Sequence, residues 1–244
     1  MKRGVALCLL VVLCTVNATI LNLPLTKVKN AKLSVEESTA KVNKLRNNYV
    51  QKTDFTIIQK WLKEIEKLEK YIERTLKTMD KEIGKIKDEN AHWCYDAALS
   101  FIRNTDYATY THALVCHERA KSSINSNLGF IDDLVSTGRR LWPVLDNIFP
   151  NCYDSTSGIS DILKLRNCIN DQIEICNVDV NKLKRDVHSA EHTAKTAFDN
   201  IIQKSDKCLN DAYSASQLHI TEAKEIFTRC LKTSCNKPFV VANQ

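Results

Sequence analysis

From Phe55 onward large apolar residues recur at alternating steps of three and four: Phe55, Ile58, Leu62 and Ile65, then, after Glu69, Ile72, Leu76, Met79, Ile83 and Ile86. That rhythm holds one seam on one side of a helix. Lys and Glu crowd the other faces, and Glu66–Lys70 and Glu73–Lys77 stand in the favourable i,i+4 order. The seam fits an intermolecular coiled coil or a helix packed on its own chain, and the second is the expectation here. Upstream, Ser34-Val-Glu-Glu37 has the form of a capping box and predicts a helix from about Val35, with Val35, Val42, Leu45 and Tyr49 on one narrow face. Thr19 to Lys32 holds Pro24 and lacks periodicity, so an irregular arm is expected. Lys52-Thr53-Asp54 is expected to loosen the chain, since Thr or Asp can cap the next helix.

The heptad seam points through Trp93 to Cys94, so the cysteine-bearing part is expected to begin on the same helix. Asn104-Thr105-Asp106 reads as a break and restart. Tyr107, Tyr110, Leu114, His117, Ile124, Leu128, Ile131, Val135, Trp142 and Leu145 then continue the rhythm until Pro143 kinks or ends the helix. Pro150 to Gly158 is the strongest turn signal in the chain. A short helix with Ile159, Ile162, Leu165, Ile169 and Ile173 follows, ending at Asn177 or Asp179. The last helix is expected to bury Val180, Leu183, Val187, Ala190, Ala194, Ala197, Ile201, Cys208, Ala212, Ala215, Ile226 and Cys230.

Cysteine spacing sets a register for these helices. Cys94 and Cys116 enclose 21 residues, and so do Cys208 and Cys230. Such a run is about 33 Å of helix, close to six turns, so both cysteines of a pair face one way. Two antiparallel helices could then be bolted at both ends, Cys116 to Cys208 and Cys94 to Cys230. Eight cysteines offer many separations, and one coincidence does not settle roughly a hundred possible pairings. Cys152, Cys168, Cys176 and Cys235 form no second neat ladder.

Composition places the chain in a compartment. Lys2 and Arg3 precede the apolar run Val5–Val16, and Val16-Asn17-Ala18 offers a cleavage site, so residues 1–18 read as a secretory signal peptide with the mature chain starting at Thr19. The apolar run is shorter than the ~20 residues a spanning helix needs, and no membrane span is expected. The one N-x-S/T site, at Asn17, would be lost with the leader. Five Gly and four Pro in 244 residues imply few turns and long helices. The formal charge is +6, or +4 without Lys2 and Arg3, and no basic stripe with interleaved aromatics argues for nucleic acid. Beyond the leader's Cys8 and Cys14, an even set remains: Cys94, Cys116, Cys152, Cys168, Cys176, Cys208, Cys230 and Cys235. An even count in a secreted chain reads as four disulfides with no free thiol.

Candidate chemistry is thin. His188-Ser-Ala-Glu-His192 has the form H-x-x-E-H, which on a helix puts two histidines on one face with Glu191 as a possible base for zinc chemistry. A working site needs a third ligand and a cleft, and the expected seam at Val187, Ala190 and Ala194 leaves both histidines outside, so a solvated face is expected. His117 falls on a seam and reads as a packed histidine. No C-x2-C metal pair, G-x-S-x-G elbow or Gly-rich phosphate loop occurs. No catalytic, cofactor-binding or metal residue is therefore assigned.

The stretches ALVCHERA, NCYDSTSG, RNCINDQIEIC, KCLNDAYSASQ and TRC resemble the insect secreted proteins with a tsetse EP-type domain. The likeness covers about Cys94 to Cys235 and rests on cysteine spacing and a helical Ala/Glu texture. The chain lacks the Glu-Pro repeats of the tsetse protein, and the heptads before Trp93 have no place in the likeness. The resemblance implies a helical, extracellular, gut- or secretion-associated protein, and it carries over no functional residue.

The expectation is thus an all-α protein: long antiparallel helices in a disulfide-linked bundle with an N-terminal heptad-rich extension. Residues 1–18 are the leader, 19–90 the N-terminal helical region, 91–235 the cysteine-rich helical domain and 236–244 a tail. The expected function is non-enzymatic and extracellular, an interaction or defence protein with an unknown extracellular protein partner and possible self-association. The alternative is a helical carrier of small apolar ligands. No cofactor is implied.

Overall fold

In the computed structural model the backbone is described for residues 2–86, 89–156 and 161–235, and side chains for 20–86, 91–156 and 161–233. The described residues form five helices and no strand: α1 (Lys2–Ile83), α2 (Glu89–Asn127), α3 (Gly129–Asp146), α4 (Ile148–Ser155) and α5 (Ile162–Cys235). The fold is all-α and disulfide-linked. The chain divides into two compact units, Met1–Tyr49 with Ser126–Ala197, and Val50–Asn125 with Phe198–Gln244. Each unit draws on the segment before residue 90 and on the cysteine-bearing segment.

The first unit packs α1, α3 and α5 together, with α4 on α3. Lys32 pairs with Asp146, Glu36 accepts the Trp142 indole N–H at 2.9 Å, and Arg46 lies 3.2 Å from Asp132. These pairs run in opposite chain directions, so α3 is antiparallel to α1. Lys27–Asn170 and Lys41–Glu191 rise together, so α5 is parallel to it. Val28, Val35 and Val42 of α1, Ile131, Val135 and Leu145 of α3, and Leu165, Ile169, Ile173, Val180, Leu183 and Val187 of α5 are buried. Cys152–Cys168, with Cα atoms 5.7 Å apart, ties α4 to α5.

In the second unit, α1 and α5 are again parallel, as Lys60–Asp206, Trp61–Tyr213 and Tyr71–Thr221 show, and α2 runs against both. The Cys94–Cys230 and Cys116–Cys208 bridges, with Cα atoms 5.8 and 5.9 Å apart, form the antiparallel ladder that the equal spacing allows. The buried line of α2 between them is mostly small: Ala98, Thr105, Thr109 and Ala113, with Ile102. Small residues let α2 and α5 approach closely enough for both bridges. The Thr hydroxyls satisfy themselves on the helix. Thr105 donates to the Phe101 carbonyl at 3.0 Å and Thr109 to the Thr105 carbonyl at 2.7 Å, and Thr109 also meets Ser216.

Several expected boundaries are corrected. The arm Thr19–Lys32 is helical and α1 runs through Pro24, because Pro24, Val28, Ala31, Val35, Ser38 and Val42 form a buried 4-3-4-3-4 line. α1 does not loosen at 52–54; Thr53 is buried there. α2 does not restart at 104–106, for Thr105 faces the core. α1 and α2 are separate helices: α1 stops at Gly84, where the amide bonds of Lys85 and Ile86 tighten to i−3 carbonyls. α3 continues three residues past Pro143, helix α4 covers Pro150–Ser155, and the turn starts only at Thr156. Asn177 and Asp179 lie inside an unbroken α5. Gly158 and Ile159 lie outside the described residues.

The seams are corrected in phase. Phe55, Ile58 and Leu62 are exposed, and the buried side of α1 is rotated by one residue to Ile57, Leu68 and Thr75, rejoining the expected seam at the buried Met79. Tyr107, Tyr110, Leu114 and Trp142 are exposed, as are Ala215 and Ile226 in α5, where Leu209, Tyr213, Ile220 and Phe227 are buried instead. Polar pairing explains the rotation: Trp61 and Tyr71 turn their polar atoms onto Tyr213 and Thr221 of α5, and this fixes the face that α1 presents. Cys176 is a free, buried thiol, which corrects the expectation of no free thiol. It lies in the first unit, where Cys152 and Cys168 pair with each other. The Cys235 side chain and the 236–244 tail lie outside the described residues, as do the side chains of the expected leader.

Candidate functional site

The most unusual surface lies on α1 and α2 of the second unit. The Trp61 ring sits 5.4 Å from that of Tyr110 and 6.1 Å from that of His117, and Asp54 Oδ1 is 2.7 Å from His117 Nε2. Asp54–His117 and Trp61–Tyr110 set the antiparallel register. Ile58 then stands level with Leu114, and Leu62 with Tyr110, to within a residue. Phe55, Ile58 and Leu62 share one helical face at i, i+3, i+7, and so do Tyr107, Tyr110 and Leu114. Their exposures run from 37% at Ile58 to 75% at Tyr107, so the two stripes make one apolar, aromatic face open to solvent. Scattered exposed apolar residues are ordinary; six adjoining large ones are not.

A polar network anchors this face from beneath. The Trp61 Nε1–H donates to Tyr213 Oη at 3.0 Å. Burial pushes the Tyr213 phenol up to about 12, against the Trp61 bond that favours its anion, with Asp106, Glu64 and Glu69 adding to the rise. His117 is mostly covered, with Nε2 on Asp54 and a Glu118 oxygen 3.5 Å from Nδ1. Nδ1 has no hydrogen-bond partner. The carboxylate orients the imidazole under Trp61, and the arrangement serves packing: a general base needs its free nitrogen within reach of a substrate proton.

The sequence-derived histidine pair is placed elsewhere. His188 and His192 are exposed on α5 of the first unit, outside the buried line Val187, Ala190 and Ala194, and Glu191 lies 3.9 Å from Lys41. Among the described residues the grouping close enough to share a metal ion is His112, Cys116 and Cys208, with ligand atoms within 4.8 Å. The two sulfurs are bonded to each other, so they are not thiolates, and the set leaves one imidazole as a ligand. Beside it a groove of about 460 Å³ between α2 and α5 is lined by Thr105, Ala108, His112, Ala212, Ala215 and His219, among others. It is mostly apolar but open to solvent, unlike the enclosing chamber that suits a carrier.

Sequence reasoning assigned the apolar stripes to the core and so missed the exposed face. The signal that could have found it lies on α2, where the buried Thr109 and Ala113 stand one position before Tyr110 and Leu114. No protein-family model, curated protein or solved structure matches the chain. Among the described residues no helix is long and apolar enough to cross a membrane.

Proposed function

We propose that this is a secreted, non-enzymatic extracellular protein that works by protein–protein contact, through the exposed α1/α2 face of its second unit. The observation that carries the reading is that face: Phe55, Ile58, Leu62, Tyr107, Tyr110 and Leu114 lie side by side in solvent. Aromatic side chains on a rigid helical platform are the composition that protein interfaces favour. Three intrachain disulfides fit an oxidising compartment, and the leader-like start gives a route to it. The likeness to tsetse EP-type insect secreted proteins adds a setting, a gut or secreted fluid, where an interaction or defence role belongs.

Photocrosslinking tests the reading. A benzophenone side chain is placed at Leu62 in the chain recovered from a secreting cell, with Leu218, exposed on α5, as the control position. Irradiation in the secreted fluid should give adducts of protein mass at position 62 and none at 218. Retention inside the cell, or adducts at 62 of small-molecule mass alone, would overturn it.

A further inference from the structure

We infer that the occupant of the α1/α2 face is a second copy of this chain, in a twofold dimer; this rests on the reading of that face as a protein-contact surface. Three observations lead there. The face comprises two apolar stripes side by side, Phe55, Ile58 and Leu62 on α1 and Tyr107, Tyr110 and Leu114 on α2. A twofold axis running along the groove between the helices lays α1 of one copy on α2 of the other at the same level, so Leu62 of each copy meets Tyr110 of its partner and Ile58 meets Leu114. A surface with that internal arrangement is complementary to itself, as an isologous contact requires.

The area agrees. The exposed parts of the six side chains come to roughly 600 Å² per copy, the upper end of the largest patch usual on a monomer. Two such faces together bury about 1,200 Å², the lower bound of a specific, stable interface. Charge raises no obstacle. Lys63 and Glu66 flank the α1 stripe with both signs, and Lys70 pairs with Glu66. No single-sign field therefore repels a second copy. The half-buried Trp61 lies under the centre of the face, with its ring held by Tyr110 and its N–H by Tyr213, so the platform is rigid before the partner arrives.

Sedimentation velocity on the full secreted chain decides, run from about 1 to 100 µM, a range that detects micromolar and tighter association. The wild-type chain should sediment as a dimer at the upper end. Leu62→Asp should raise the dissociation constant by at least about 100-fold, as hot-spot losses do, with helicity unchanged and, at concentrations where both chains are monomeric, melting temperature unchanged because Leu62 is 59% exposed. Leu218→Asp, equally exposed on α5, should leave the dimer intact. A wild-type chain that stays monomeric throughout, or a dimer that Leu62→Asp does not weaken, overturns the proposal. If the chain is monomeric while the crosslinker at 62 captures a different extracellular protein, the contact reading stands and the second-copy proposal fails.

Discussion

Gly138 shows how much of this fold turns on one atom. It is buried in α3, and a Cβ there would run into the Thr39 Oγ1 of α1, whose hydroxyl already donates to the Val35 carbonyl at 2.8 Å. Neither helix can shift freely, since Lys32–Asp146 and Glu36–Trp142 fix their register. Gly138→Ala should therefore destabilise the first unit by ~1–3 kcal/mol, although alanine is the better helix former. Differential scanning calorimetry reads this directly, and an unchanged or raised melting temperature would mean the two helices are looser than their packing implies. Two tyrosines give the second unit an alkaline limit. A hydrogen bond to the Asp80 carboxylate, with burial, raises the Tyr95 phenol to about 12, and burial raises that of Tyr213 to about 12, both from 10.0. An acid whose pKa is higher folded than unfolded stabilises below the unfolded value and loses that contribution as pH rises to the folded one. Stability should hold up to pH 10 and fall between 10 and 12. In the native chain, absorbance at 295 nm should show Tyr95 and Tyr213 ionising above 10.0, and Tyr213→Phe should remove one of these late steps.

Among the elements, the bridges differ in the loops they close. Cys152–Cys168 spans 16 residues, Cys116–Cys208 92 and Cys94–Cys230 136. Loop-closure entropy makes the short bridge worth ~3 kcal/mol and either long one ~4–5, if strain is equal. Paired Cys→Ser variants, compared by urea unfolding, should rank in that order; a short bridge that matters most would point to native packing rather than the unfolded chain. Cys176 should stay unalkylated in the native protein and react in denaturant, because burial, helped by Asp179, raises its thiol pKa. The ladder was legible because equal spacing is a geometric constraint that survives ignorance of the core. The helix phases were not. Periodicity weighs large apolar residues most, and here Thr53, Thr75, Thr105 and Thr109 sit inside while Phe55, Leu62 and Tyr107 sit outside. A threonine that returns its hydroxyl to the i−4 carbonyl is buried at little polar cost, and hydropathy alone does not register that. The expected breaks failed for the same reason. Asn104-Thr105-Asp106 has turn chemistry, but Thr105 has a core to join. The exposed face escaped the sequence because Phe55, Ile58 and Leu62 have the spacing of a core seam, and only the tertiary pairing of Trp61 with Tyr213 decides which side turns inward.

At the scale of the whole chain, α1 belongs to both units, and this changes what a truncation does. Removing everything before Glu89 would strip Val28, Val35 and Val42 from the first unit and Ile57, Leu68 and Met79 from the second, all at most 8% exposed. Their partners on α3 and α5, and on α2 and α5, would then face water. At ~1.5–3 kcal/mol for each large side chain, the loss is as large as the ~5–15 kcal/mol by which domains of this size are stable. The ladder would remain, since Cys94, Cys116, Cys208 and Cys230 all lie downstream, so the fragment should keep helix while losing fixed packing. Light scattering and near-ultraviolet circular dichroism test this: the fragment should aggregate or lose its tertiary signal, with far-ultraviolet helicity largely retained. A fragment that is compact, monomeric and cooperatively folded would show that α1 is an appendage, and the core assigned to both units would be wrong. The truncation also removes the α1 half of the exposed face, Phe55, Ile58 and Leu62. The dimer test therefore uses Leu62→Asp in the intact chain, where only the face changes.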